Sequence, residues 1–157
     1  MVSGPNALAA EYQLKMEDTR YRYTECGLDN VYLLNGFERV PTPRGEVVRI
    51  VNEDGLLTAI GRCLVTEKKW LSGKEVRFLS KELGLTQNDI SSILGMDIQA
   101  FARWEKGRRS KGSMAADRLL RILYMERVKG NPRIRESLQR LAELDELLNE
   151  EIDIERR

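Results

Sequence analysis

A chain of 157 residues with 41% hydrophobic and 32% charged content has a globular composition and length enough for one or two small cores. It holds no histidine and only two cysteines, Cys26 and Cys63, which excludes a zinc site of four Cys or His ligands and any histidine-based triad or general base. A net charge of +1 conceals an asymmetry: eleven basic residues face six acidic ones between Arg62 and Lys111, whereas residues 136–157 hold eight acids and three arginines.

That division suits a polyanion-binding middle and a tail with another task. The opening MVSGPNALAAEYQLKMED has neither a basic start nor an apolar stretch, and no run reaches the apolar length of a bilayer span. The expectation is a cytoplasmic protein without membrane association. There Cys26 and Cys63 are expected as reduced thiols, small apolar side chains in a strand and a helix.

Residues 1–20 carry no periodicity and read as an N-terminal extension. Residues 21–66 read as a small β-rich module plus a helix. Tyr21–Tyr23, Val31–Leu34 and Val47–Val51 are β-branched and aromatic runs, separated by Gly27, Asn35-Gly36, Pro41, Pro43 and Gly45. Asn35-Gly36 suits a hairpin turn. A packing or oligomerisation layer is the plainer role for this module. From Asp54 to Val65, the residues Leu56, Leu57, Ile60 and Leu64 recur at helical spacing.

Residues 67–128 read as a helical domain. Ser72-x-x-Glu75 is a capping box, followed by the stripe Val76, Leu79, Leu83 and a stop at Gly84. Thr86 caps a second helix with Asp89 three residues on; Ile90, Ile93 and Leu94 face inward and Gly95 closes it. Asp97 caps a third, running to Lys106 with Gly107 at its C′ position. Ala116, Leu119, Leu120 and Leu123 mark a fourth. Residues 129–157 hold a last amphipathic helix, predicted from Arg133 to about Ile152, after the break at Asn131-Pro132. Its Ile134, Leu138, Leu141 and Leu148 form a heptad-like seam with Leu144 and Leu147 beside it, which either packs back on its own domain or pairs two copies.

Three short helices joined by tight turns cover one another only by crossing steeply, the geometry in which a second helix braces a third in the major groove. On the third helix Phe101 and Trp104 should face the core, leaving Ile98, Gln99, Ala102 and Arg103 outward. Gln bonds adenine N6 and N7 together, and Arg does the same to guanine O6 and N7. Ile98 and Ala102 suit thymine methyls. Gln87 heads the second helix, where a side chain and free backbone N–H groups can hold a phosphate. Lys106, Arg108, Arg109 and Lys111 follow the recognition helix as candidate phosphate contacts. A merely solvated face and loop is the alternative reading of these residues.

The segment LSGKEVRFLSKELGLTQNDISSILGMDIQAFARWEKG (71–107) carries LGLTQ, the ILG turn and RWEKG in order and spacing. It resembles the lambda-repressor/Cro-type helix-turn-helix of the Xre family and, within it, the DNA-binding half of MqsA-type antitoxins. Residues 21–66 resemble the N-terminal part of regulators of this branch. The resemblance implies a mainly α, lambda-repressor-like helix-turn-helix bundle with a small N-terminal β-rich module, α+β overall. It implies double-stranded DNA as partner, Ile98, Gln99 and Arg103 as base-facing positions, and Gln87 on a phosphate. It also implies a homodimer whose recognition helices reach successive major grooves about 34 Å apart.

Two departures stand out. Many relatives carry an arginine where Ser80 stands here, paired with the glutamate matching Glu105. Glu105 is therefore expected to find Arg77 or Lys81, or to lie near solvent. MqsA-type antitoxins proper also carry a cysteine-ligated zinc domain that this sequence lacks, so its toxin-binding role is not carried over. The function expected is a sequence-specific transcriptional repressor, antitoxin-like in regulating itself, with no enzymatic activity, cofactor or metal. The rival expectation is an interaction module that uses the same fold as a bridge to a toxin or other protein partner.

Overall fold

The computed structural model describes residues 19–107, 114–144, 147 and 151–156. Among these residues stand six α-helices and two separate two-stranded antiparallel sheets, an α+β architecture dominated by helix. The chain divides into two compact units, Met1–Ile60 and Gly61–Arg157, with the boundary inside its first long helix. No helix among the described residues is long and apolar enough to cross a membrane.

In the first unit β1 (Tyr21–Arg22) pairs with β2 (Tyr32–Leu33). The intervening loop is drawn in by the Arg22 guanidinium, which donates to the Asp29 carbonyl at 3.2 and 2.9 Å. Tyr23, Leu28 and Leu33 are buried here. Burial, and then the Glu53 carboxylate, push the Tyr23 phenol above its usual range. Cys26 is a free thiol in the turn between β1 and β2, not in a strand as expected, because the pairing stops at Arg22.

The hairpin also differs from expectation. β3 (Phe37–Thr42) and β4 (Gly45–Ile50) pair around Pro43-Arg44, while Asn35-Gly36 only links β2 to β3. The physical reason lies in lengths and local bonds. Two-residue β2 is already taken by β1, and the longer run finds its partner across a turn where the Thr42 hydroxyl donates to the Gly45 carbonyl at 2.5 Å. Pro41, expected as a breaker, sits in β3 because an edge strand has N–H groups that need no partner. The hairpin's ion pairs, Arg49 with Glu38 and Arg39 with Glu46, are exposed and contribute little.

Helix α1 (Glu53–Glu67) starts where the Asn52 side chain accepts the Gly55 N–H at 3.1 Å. Its last turn contains no basic residue. Arg121, on α5 (Met114–Val128), supplies the missing cation from another helix. Its guanidinium donates to the carbonyls of Lys68 at 2.7 Å, Val65 at 3.2 Å and Leu64 and Lys69 at 3.4 Å, while Asp117 holds its Nε at 2.6 Å. Orphan carbonyls and the negative end of the helix dipole are both served. Cys63, free and exposed, donates to Glu67 at 3.4 Å; burial and then this bond push its thiol up.

The remaining helices are α2 (Gly73–Glu82), α3 (Gln87–Leu94), α4 (Ile98–Lys106) and α6 (Arg133–Leu144). The apolar stripes become the core of the second unit: Val76, Leu79, Leu83, Ile90, Ile93, Leu94, Phe101, Trp104, Ala116, Leu120 and Leu123 are buried. Leu119 is half-buried. Helix α6 packs on α3 and α5 and ends at Leu144, short of the expected Ile152. Residues 151–156 are exposed and outside any helix. Carboxylates are unfavourable at a helix C-terminus, and the sequence from Glu143 onward is dominated by them. Of the seam residues Ile134 and Leu138 are half-buried, Leu141 and Leu144 exposed, and Leu148 lies outside the described residues.

Arg121 binds four carbonyls while its side chain is only 17% exposed. Arg121→Met should therefore lower unfolding free energy by about 2–3 kcal/mol, read from chemical denaturation midpoints. Arg121→Lys should recover less than half, because one ammonium cannot reproduce the planar fork. Equal stability of Arg121→Met and the parent would refute this role.

Candidate nucleic-acid interface

The geometry of α4 is set first by how its ends are made. Helix α3 begins at Thr86, whose hydroxyl accepts the Asp89 N–H at 3.1 Å while the Asp89 carboxylate takes the Thr86 hydroxyl at 2.7 Å. It stops at Gly95, left-handed at φ 67 and ψ 34, and the Met96 N–H reaches back to the Ser91 carbonyl at 2.8 Å. Three residues later α4 has begun, capped by the Asp97 carboxylate on the Gln99 N–H at 2.8 Å. A turn this short obliges α4 to cross α3 rather than lie along it.

Phe101 and Trp104 then fix the rotation of α4. Both are buried, with rings edge to face and centroids 6.0 Å apart. With that side inward, Ile98, Gln99, Arg103 and Lys106 are exposed. Gln99, Arg103 and Lys106 stand at i, i+4 and i+7, one stripe along the helix. Among the described residues neither the Arg103 nor the Lys106 side chain holds a hydrogen bond or ion pair. Ala102 is half-buried, so it stands at the edge of the outward face rather than in its middle.

The far end of α4 meets the start of α2. The Gly73 N–H donates to the Gly107 carbonyl at 3.0 Å. A Cβ at Gly73 would collide with the Glu105 carbonyl group. Gly107 itself is extended at φ −82 and ψ 150, not left-handed as its expected C′ role requires. Its carbonyl is turned instead toward α2, and any residue could adopt its backbone angles.

Gln87 is exposed at the first position of α3, but its side chain is engaged: Nε2 donates to Glu105 Oε2 at 2.8 Å. Glu105, expected beside Arg77 or Lys81 or near solvent, meets an amide on α3, and Gln87, expected on a phosphate, bridges α3 to α4. The Asp89 carboxylate also occupies the α3 N-terminus that was expected to receive an anion. Ser80 is buried and its hydroxyl donates to the Val76 carbonyl at 2.9 Å, so its side chain is satisfied within its own helix. Arg108, Arg109 and Lys111 lie outside the described residues.

Two residues near the start of α2 escape a reading based on helix faces. Lys74 is exposed next to Gly73, hence at the C-terminal end of α4. Trp70 is half exposed in the segment leading to α2, with the Lys69 ammonium 5.8 Å from its ring. An aromatic interleaved among Lys68, Lys69 and Lys74 was the available signal.

Gly73→Ala should destabilise the protein by about 1–3 kcal/mol and alter the near-ultraviolet signal of its aromatic side chains, because α4 must move. Gly84 is left-handed at φ 67 with open space around it. Its replacement by Ala should cost a similar amount, about 1–2 kcal/mol, without that spectral change. Matching spectra for both variants would overturn the close-approach explanation. No family model, curated protein or solved structure matches this chain.

Proposed function

We propose that this protein is a sequence-specific regulator that binds double-stranded DNA through α4, the third helix of a lambda-repressor-like helix-turn-helix unit formed by α2–α5. The observation that carries the reading is the stripe Gln99, Arg103 and Lys106. It is exposed and free of internal ion pairs, on a helix whose opposite side is locked by Phe101 and Trp104. Gln99 and Arg103 have the donor and acceptor patterns that read adenine and guanine edges, and Ile98, 41% exposed, offers apolar contact to a thymine methyl. Lys106 begins the basic run Lys106, Arg108, Arg109, Lys111, whose charge would neutralise phosphates.

Gln87 enters this reading differently from first expectation. Its amide bond to Glu105 ties α3 to α4, so its contribution is to hold the recognition helix, with phosphate contact secondary. The unit acts as a repressor, antitoxin-like in controlling its own promoter, and works in the cytoplasm. A homodimer is part of the proposal, since paired recognition helices read two half-sites about one helical turn apart. The exposed Leu141 and Leu144 on α6 supply apolar surface for it.

The test is a gel shift on the DNA upstream of the protein's own gene, with scrambled competitor, repeated across salt concentrations. Arg103→Ala should cost about 1–3 kcal/mol of binding and relax preference at one base pair. Lys106→Ala should weaken binding to all sequences alike and reduce the salt slope by about one unit. Parent-like binding by both variants would remove α4 from the groove. If no duplex is retarded, the DNA reading itself fails.

A further inference from the structure

A cavity of about 290 Å³ lies between the end of α2, the end of α5 and the start of α6, with no residue of α4 on its lining. Leu83, Leu85 and Leu123 line it as an apolar floor, and Pro132 closes one side. Its wall is the turn from α5 into α6. Gly130 is left-handed there at φ 72, and the Asn131 N–H donates to the Glu126 carbonyl at 2.8 Å. The Asn131 side chain is tied at both ends, its Nδ2 to Glu126 Oε2 at 2.7 Å and its Oδ1 accepting the Arg133 N–H at 3.2 Å. Glu126, the one carboxylate on the lining, is thus engaged, and Lys129 stands 3.6 Å from its other oxygen.

Arg127 and Arg135 complete the lining, and both are exposed. Among the described residues neither side chain holds a hydrogen bond or an ion pair. An apolar floor, a fixed wall and two unengaged guanidiniums define complementary chemistry. Burying apolar surface favours a hydrocarbon body. Guanidinium prefers a carboxylate, which it can bind with two parallel hydrogen bonds. A cation would meet like charge. The wider space between α3 and α6, about 420 Å³, lacks this character, since Asp89, Ser92, Gln139 and Glu143 line it.

We infer that this cavity binds a small organic anion, a single carboxylate on a compact apolar body, with the body on Leu83, Leu85 and Leu123 and the carboxylate on Arg127 and Arg135. The volume sits at the lower end of ligand cavities, about 300–1,000 Å³, so ligands of benzoate or hexanoate size fit and larger ones do not. The inference is independent of DNA binding.

It is tested on the full chain by following backbone amide resonances during titration with sodium benzoate and sodium hexanoate. Benzyl alcohol, 1-hexanol and benzylamine serve as matched probes. Saturable shifts should be confined to residues 83–85 and 123–135, with the carboxylates binding about tenfold tighter than the alcohols and benzylamine weakest. The double variant Arg127→Gln/Arg135→Gln changes only exposed side chains. It should keep the parent spectrum elsewhere and bind carboxylate and alcohol equally. Absence of saturable shifts at these residues, equal affinity of the parent for carboxylate and alcohol, or an undiminished carboxylate preference in the double variant would each overturn the proposal.

Discussion

The orientation of α4 depends on a side chain that is not there. Where α2 begins and α4 ends, a free N–H of one helix start and a free carbonyl beyond the other's end bond across 3.0 Å, and the opposed dipole ends of the two helices come together. Gly73 lets the backbones approach this closely; any larger residue would strike the Glu105 carbonyl group. Phe101 and Trp104 then set the rotation of α4 about its own axis, and the Gly95 turn sets its distance from α3. With both ends and the rotation fixed, the outward direction of Gln99 and Arg103 is determined before any partner arrives.

The polar groups beneath this frame are shared economically. Glu75 is 1% exposed, yet one oxygen accepts the Ser72 N–H at 2.9 Å and the other faces the Lys68 ammonium at 3.6 Å. Its place in the first turn of α2 adds the favourable end of the helix dipole. Ser80 returns its hydroxyl to its own helix, and the Glu105 carboxylate is met by Gln87. The partner is a neutral amide, so α3 and α4 are bridged by a charge-assisted hydrogen bond rather than an ion pair.

What could be read in the sequence was whatever is local. Ser72 with Glu75, Thr86 with Asp89, and Asp97 each act within three residues, and all three caps stand where the spacing put them. The stripes Val76/Leu79/Leu83 and Ile90/Ile93/Leu94 likewise follow from a fixed helical period, as does the inward turn of Phe101 and Trp104. Illegible were the contacts between residues distant in the chain. Arg121 meets carbonyls more than fifty positions away, and Gln87 meets Glu105 eighteen positions on. The hairpin was misplaced for a related reason: Asn35-Gly36 is the better turn dipeptide, but strand length and partner availability outweigh turn preference. Gly107 was misread because a glycine after a helix suggests a left-handed cap, whereas its carbonyl is committed to α2.

The same geometry relates the cavity to α3. Leu83 ends α2 and Leu85 precedes the Thr86 cap, so the apolar floor is also the linker that starts α3. The linker has little slack: the Leu83 N–H bonds the Leu79 carbonyl at 2.9 Å and the Leu85 N–H bonds the Ser80 carbonyl at 3.2 Å. A molecule resting on Leu85 would therefore load the backbone two residues before Gln87, and Gln87 is the strut to α4. Proximity alone confers no regulation, because a ligand shifts an equilibrium only by its difference in affinity between two states. With Leu83 and Leu123 already at 5% and 3% exposure, the floor is packed as core, and such a site favours ligands that fit the existing arrangement. Occupancy should then act chiefly by stabilising the α2–α3 linker as it stands, which would support the present position of α4 rather than displace it.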